Sequence, residues 1–257
     1  KNMPFVITSA TNPDITKQGF KNVFRFAPTD DMQGISAANF IFDSLKTNSI
    51  VILHDNDAYG KGLADQVKQR FVSLGGKVLL FEAIAVGEND YRSILSKAKK
   101  LKPAIIFYGG MHPEAAKLLK QAKEIALNTK FVFGDGCFDE ELLKLSGTDG
   151  KNVYVSFLAA PWEEVPTAKN FVDKYQKLYG NVPPFAPYGY DAVMVLAEGI
   201  KRATSTDAAK IITALHSPEF SFDGVTGKIK FNENGQVTDR SFYFYTFNDN
   251  GKLILYK

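Results

Sequence analysis

The chain has 257 residues, 45% of them hydrophobic, with 31 basic against 28 acidic side chains and a formal net charge of +3. That length accommodates one large domain or two small ones, and the apolar fraction supports a packed core, which excludes a disordered chain. The charges are interspersed, so no basic stripe of the kind that reads nucleic acid is expected.

Taken in order, Phe5–Ser9 and Val23–Phe26 read as strands either side of an Asn12-Pro13-Asp14 turn. A strict alternation follows. Asp30–Lys46 reads as a helix with Met32, Ile35, Ala38, Phe42 and Leu45 on its inward face, and acids Asp30 and Asp31 suit its first turn. Ile50–Leu53 is a strand. Gly60–Leu74 is a helix with Leu63, Val67, Phe71 and Leu74 inward, closed by Gly75-Gly76. Lys77–Val86 is a strand, Asp90–Leu101 a helix stopped by Pro103, and Ala104–Tyr108 a strand. Pro113–Ala126 is a helix, Lys130–Phe133 a strand, Asp139–Leu145 a short helix and Asn152–Leu158 a strand. Repeated strand–helix units predict a parallel sheet with helices on both faces.

The run Ala159–Pro166, with two prolines and no period, breaks the rhythm and reads as a crossover or hinge. Helices are predicted over Pro166–Tyr179, Pro187–Ala203 and Asp207–His216. Strands follow at Gly227–Asn232, Ser241–Phe247 and Leu253–Tyr256, with Asn234-Gly235 and Asn250-Gly251 as hairpin turn dipeptides. No stretch approaches the roughly 18 consecutive apolar residues of a membrane span. No secretory signal peptide is visible, and the immediate opening into a strand points to a processed or truncated product.

Chemistry-bearing motifs are sparse. There is neither a Gly-x-x-x-x-Gly-Lys nor a Gly-x-Gly-x-x-Gly phosphate loop. His54, His112 and His216 lack ligand-spaced partners, so no metal site and no cofactor are expected. His54-Asp55 reads as an ordinary polar loop without a nucleophile elbow. The single cysteine, Cys137, excludes an internal disulfide and reads as a small residue behind a Gly-rich turn. The densest basic cluster, Lys97-Lys99-Lys100-Lys102, reads as a solvated helix end, with a polyanion site as its alternative.

The positive signal lies at strand ends, where ligands sit in open parallel sheets. Lys130–Phe133 ends in Gly134-Asp135-Gly136, where the glycines free the backbone and Asp135 leaves one carboxylate. Ser9 and Thr11 offer hydroxyl and backbone donors in a turn. Tyr59 offers an amphipathic wall at a helix start, and Phe185 and Tyr188 add apolar surface. Donors at one pole, an acceptor at the other and apolar contacts between them suit a zwitterion. By pattern alone, Asp135 serves equally as a turn-stabilising acid or a ligand anchor.

Several ordered blocks carry a resemblance: Thr8–Thr16, His54–Ala64, Gly87–Tyr91, Phe107–Glu114, Gly134-Asp135-Gly136 and Asp223–Gly227. Over nearly its whole length the chain resembles the leucine/isoleucine/valine-binding proteins, the branched-chain amino-acid receptors among type I periplasmic binding proteins. The resemblance implies an α/β fold of two doubly wound parallel-sheet lobes joined by a hinge, the first lobe incomplete in this chain. Residues 1–29 and 163–257 would form the partial first lobe with the hinge crossovers, and 30–162 the second. It implies an extracytoplasmic, periplasmic solute-binding protein and no enzyme. Such a protein closes on a small amino acid, branched-chain or otherwise apolar, and delivers it to the membrane permease of an ABC importer. Residue by residue, Ser9 matches a backbone contact and Thr11 a hydroxyl contact to the ligand carboxylate. Tyr59 matches an aromatic wall, Phe185 a pocket aromatic, and Asp135 the acid on the α-amino group, where many members carry Glu. Met111 stands where an aromatic is often found, a departure that bears on side-chain specificity. A further N-terminal segment of the family has no match here, which makes that segment an expected partner. A sensory receptor domain of the same fold, or an α/β enzyme on a small metabolite, are the alternatives.

Overall fold

The computed structural model describes residues 3–148 and 150–256; Lys1, Asn2, Asp149 and Lys257, among them the outer ends of the expected segments 1–29 and 163–257, lie outside the described residues. In chain order the elements are β1 (Phe5–Ile7), α1 (Asp14–Lys17), β2 (Val23–Arg25), α2 (Asp30–Asn39), β3 (Ser49–His54), α3 (Ala58–Ser73), β4 (Lys77–Ala83), α4 (Arg92–Lys100), β5 (Ile105–Gly109) and α5 (His112–Glu124). They continue with β6 (Lys130–Phe133), α6 (Glu141–Ser146), β7 (Val153–Phe157), α7 (Lys169–Tyr179), α8 (Ala186–Ala203), α9 (Ala208–Leu215), β8 (Phe222–Gly224), β9 (Gly227–Ile229), β10 (Tyr243–Phe247) and β11 (Leu253–Leu255). The chain divides into unit 1, Lys1–Thr29 with Leu158–Ser241, and unit 2, Asp30–Phe157 with Phe242–Lys257.

Unit 2 is built on one seven-stranded sheet in the order β11-β10-β7-β6-β5-β3-β4. From β4 to β7 neighbouring strands are parallel; β10 runs antiparallel to β7, and β11 antiparallel to β10. Alternation along each strand divides the core. Val51, Leu53, Ile106, Tyr108, Phe131 and Phe133 face α4, α5 and α6 on one side. Ile50, Ile52, Ile105, Phe107 and Val132 face α2 and α3 on the other. Each such side chain contributes about 1.5–3 kcal/mol on burial, so the two-sided pattern fixes the register of every central strand. The chain leaves β3 toward β4, then crosses back to β5 on the other side of β3. This reversal makes the carboxyl ends of β3 and β5 a topological switch point, the place where doubly wound sheets bind ligands.

Three expectations are corrected here. The inward face of α2 is not Met32 and Ile35, which are exposed, but Gln33, Gly34, Ala37 and Ala38. The helix lies so close to α3 that a Cβ on Gly34 would stand 2.3 Å from Gln66 Cβ. Small residues therefore face inward, and a π-turn over Phe40–Ser44 shifts the phase so that Phe40 and Ile41 become the buried large residues. The second correction concerns the C-terminus. The strands β10 and β11 extend the unit 2 sheet beyond β7, so 242–257 belongs with 30–157 and not with the 163–257 segment. Pairing with β10 covers an edge of β7 that would otherwise leave backbone groups unpaired. Third, the boundary before the proline-containing run lies at Phe157/Leu158, ahead of Glu163. Tyr188 Oη donates to the Leu158 carbonyl at 3.0 Å, which ties that residue to α8.

Unit 1 pairs β1 and β2 in parallel and β8 with β9 as an antiparallel hairpin. Neither α1 nor β8 was visible in the periodicity; four and three residues are too few for a pattern. The aromatic contacts Phe24–Phe231, Phe26–Phe231 and Phe220–Phe231 form its packed centre. Asp191 on α8 is fully buried and accepts from Val225 N at 2.9 Å, Thr226 N at 2.8 Å and Thr226 Oγ1 at 2.6 Å. This explains Gly224: a Cβ there would stand 2.4 Å from the Asp191 carboxylate.

Candidate functional site

In unit 2 the strand ends bring polar groups together. After β3, Asp57 caps α3 by accepting from Ala58 N at 2.8 Å, and Asp55 holds the loop by accepting from Asp57 N at 3.0 Å. This places Tyr59 in the first turn of α3. Its hydroxyl donates to Asp135 Oδ1 at 2.8 Å and accepts from Gly136 N at 2.9 Å. Asp135 opens a short 3-10 turn, Asp135–Cys137, at the end of β6 and is only 7% exposed. Burial raises its carboxyl above the usual range, against the pull of the Tyr59 hydroxyl and the Gln33 amide. Burial, followed by the Asp135 charge, raises the Tyr59 phenol well above its ordinary value, so it stays a donor.

The glycines flanking Asp135 have a different reason from the backbone freedom expected of them. Gly134 has ordinary extended angles, φ −72° and ψ 175°. What it provides is room: a Cβ would stand 2.6 Å from both Tyr59 Oη and Leu63 Cδ2. At Gly136 a Cβ would stand 2.9 Å from Met111 Sδ and 2.9 Å from Tyr59 Cε1. The Gly-Asp-Gly turn is thus a seat over which Tyr59 and Met111 converge. Met111 precedes α5 and is 48% exposed, an apolar group that remains accessible.

Gln33 is the residue that sequence reasoning missed. It is fully buried on α2, and its amide donates to Ser156 Oγ at 2.8 Å while lying against Asp135. A polar residue on the inward side of a helix was the available signal, hidden by assigning the wrong face. Behind the switch point, a Cβ on Gly110 would stand 2.2 Å from the buried Tyr108 hydroxyl and 2.9 Å from Asp55 Oδ2. The His54 ring accepts from Asn56 N at 3.0 Å, a turn contact. Cys137 is buried, its thiol pushed well up by burial and the Asp135 charge, and it donates to the Gly110 carbonyl at 3.3 Å. Among the described residues no group of His, Cys, Asp or Glu is arranged to hold a metal ion.

In unit 1, Ser9 is exposed and Thr11 buried on the same loop after β1. That loop rests on Arg25, which is fully buried. Arg25 donates to the Asn12 carbonyl, to Thr16 Oγ1 at 3.0 Å and to Gln236 Oε1 at 2.6 Å. Phe185, half-buried, stands just before α8 in a separate aromatic cluster. Its ring lies 6.2 Å from Tyr188, which lies 5.6 Å from Trp162. Trp162 donates to the Pro184 carbonyl at 3.1 Å, fixing the chain ahead of Phe185. The structure thus brings Tyr59, Met111 and Asp135 together in unit 2, and places Ser9 and Thr11 on one loop of unit 1 with Phe185 on another element.

Comparison with known proteins agrees with this architecture. The family model described as periplasmic binding protein matches residues 1–252. The leucine-, isoleucine-, valine-, threonine- and alanine-binding protein of Pseudomonas aeruginosa is 34% identical over 243 residues, covering 93% of this chain and 64% of that protein. The Leu/Ile/Val-binding protein homolog 1 of Brucella abortus is 36% identical over 240 residues, covering 92% of this chain and 63% of that protein. The chain therefore spans just under two thirds of the length of these relatives. Among solved structures, the leucine-binding protein LivK of Thermotoga maritima superimposes with a TM-score of 0.91 at 30% identity, covering 100% of this chain and 73% of that one. LivJ of Streptococcus pneumoniae in complex with isoleucine gives 0.87 at 29% identity, covering 98% and 71%. No helix among the described residues is long and apolar enough to cross a membrane. With its doubly wound sheet and its match to the family model from residue 1 to residue 252, the chain belongs to the periplasmic binding protein family and has the type I fold.

Proposed function

We propose that this chain belongs to an extracytoplasmic solute-binding protein that captures a small apolar amino acid and hands it to the membrane permease of an ABC importer. The observation that carries the reading is Asp135: a buried acid at the end of β6, hydrogen-bonded to Tyr59 and next to the accessible Met111. A buried carboxylate with raised affinity for protons is one that an ammonium group stabilises. In this reading Asp135 pairs with the ligand α-ammonium, Tyr59 and Met111 bound the side chain, Ser9 and Thr11 hold the carboxylate, and Phe185 adds apolar surface. The residue types divide between them the three needs of a zwitterion with an apolar side chain. The ligand class is supported by relatives named for binding leucine, isoleucine and valine, and by LivJ of Streptococcus pneumoniae, solved in complex with isoleucine. Capture proceeds by population shift toward the bound conformation. In this reading the protein acts by binding and not by turnover, in keeping with relatives that are named as binding proteins.

The test is calorimetric titration of the chain with leucine, isoleucine, valine and alanine, beside Asp135→Ala. Binding by the parent that is lost in the variant supports the assignment. Undiminished amino-acid binding by Asp135→Ala overturns it.

A further inference from the structure

Asp135 is held from two helices of unit 2. From α3 comes Tyr59, whose hydroxyl proton goes to Asp135 Oδ1 at 2.8 Å while its oxygen accepts from Gly136 N at 2.9 Å. From α2 comes the fully buried Gln33, whose side-chain hydrogen bond favours the charged form of Asp135. The neighbouring strand anchors Gln33 in turn. Ser156 on β7 is fully buried, and its hydroxyl donates to the Phe133 carbonyl at 3.1 Å. With that proton committed, Ser156 Oγ is left to accept, and it accepts from Gln33 Nε2 at 2.8 Å. The N–H side of the amide is therefore turned toward Ser156 and Asp135. Both supports end on backbone groups of the same turn, the Phe133 carbonyl just before the Gly134-Asp135-Gly136 run and the Gly136 N–H within it.

The other side of the amide shows why a glutamine stands here. Gln33 Oε1 is buried without a hydrogen-bond partner. An orphaned acceptor is a desolvation cost that packing alone does not require. An unbranched apolar side chain such as Met would fill a similar space and bury no acceptor. The remaining buried residues of α2 are Asp30, Gly34, Ala37 and Ala38, so Gln33 is the long side chain that this face sends inward.

We propose that Gln33 is a positioning residue of the amino-acid site: anchored by Ser156, its amide holds Asp135 in the orientation and the charged form that an α-ammonium pairs with, a role that rests on Asp135 being the ammonium partner. Tyr59 and Gln33 are both neutral donors. They stabilise the carboxylate without cancelling its charge, as a lysine or arginine would, and leave that charge for the ligand.

The other titratable groups around this turn are Tyr59 on α3, Cys137 within the turn, and Asp30 on α2; Asp55 and Glu114 act on the Cys137 thiol. Burial raises Tyr59 and Cys137 well up, so both stay neutral from acid to neutral pH. Asp30, Asp55 and Glu114 are common to every variant below, so differences between variants isolate Asp135.

The test compares the parent, Gln33→Met, Ser156→Ala, and Gln33→Met in an Asp135→Asn background. NMR of ligand-free protein with isotope-labelled aspartate carboxyls follows the Asp135 titration, its resonance identified by its loss in Asp135→Asn. Gln33→Met should move that titration to higher pH, and Ser156→Ala should move it the same way by less. Leucine affinity in Gln33→Met should fall about tenfold or more in acid, the deficit narrowing as pH rises through the variant's raised pKa. Once Asp135 is Asn, Gln33→Met should change leucine affinity little. Should Gln33→Met not fold, Ser156→Ala carries the same test. An Asp135 titration that neither variant moves, an affinity loss equal at every pH, or a full loss persisting in the Asp135→Asn background overturns the proposal. If the titration moves but the parent binds no amino acid, the binding role fails and the hold of Gln33 on Asp135 stands. If leucine binds and the titration does not move, the binding role stands and the role of Gln33 falls.

Discussion

Replacing Asp135 by Asn separates what its charge does for binding from what it does to stability. The change keeps size and shape, and the Tyr59 hydroxyl, now 2.8 Å from Oδ1, still finds an acceptor in the amide oxygen. Only the charge is lost. For the ligand this removes one partner of a buried charge pair, which costs about 2–5 kcal/mol. Because Asn still offers a neutral acceptor, the lower half of that range applies, an affinity loss of about 30- to 300-fold at 1.4 kcal/mol per decade. For the free protein the sign reverses. Burial raises the folded Asp135 carboxyl above its unfolded value, so folding takes up protons between those two values. The native state of the parent therefore loses stability as pH rises through that window and stays lower above it. The Asn variant has no such titration. It should melt at the same temperature as the parent in acid and at a higher temperature near neutrality, the gain levelling off above the folded pKa. Calorimetry with leucine measures the first effect, and ligand-free thermal melts across the acid-to-neutral range measure the second. Unchanged leucine affinity, or a melting difference that does not vary with pH, would refute the argument that Asp135 is a buried charge awaiting an ammonium.

Three further outcomes follow from the packing. Gly134→Ala should destabilise the chain by about 1–3 kcal/mol through overpacking, and should weaken leucine binding by displacing Tyr59, whose hydroxyl would lie 2.6 Å from the new Cβ; melts and titrations report the two effects. Asp191→Ala strips three donors at Val225 and Thr226 of their acceptor. It should cost about 1–3 kcal/mol, visible as a lower melting temperature while the unit 2 contacts around Asp135 are untouched. The Cys137 thiol, buried and with its pKa raised, should resist a disulfide reagent in the native protein and react promptly once denaturant is added.

Much of unit 2 was legible because its signals are local. The strand Lys130–Phe133 has the bounds its apolar run implied, and Gly75, with φ +89°, ends α3 as its position suggested. Short buried strands between amphipathic helices leave few other folds. What failed was the reading of faces and partners. Met32 and Ile35 are the large apolar residues of α2, yet close approach to α3 turns the small Gly34, Ala37 and Ala38, with Gln33, inward instead. The partner of β10 is β7, roughly ninety positions earlier, and no period within Tyr243–Phe247 encodes that.

The candidate site divides in the same way. Residue types at strand ends pointed to Asp135, Tyr59, Ser9, Thr11 and Phe185, because a zwitterion needs an acceptor, donors and apolar walls, while Met111 and the role of each residue came only from the family resemblance. The sequence by itself determined the alternation of elements, the class of fold and the presence of a carboxylate at the end of β6, since each depends on neighbours within a few positions. Tertiary structure alone decided that Tyr59 and Asp135, 76 positions apart, share a hydrogen bond. It also decided that Gln33 lies against that acid, that buried Arg25 supports the Ser9–Thr11 loop, and that Gly134 and Gly136 serve to admit Tyr59 and Met111. Each of these is a distance between surfaces brought together by packing, and a sequence pattern records spacing along the chain but not separation across it.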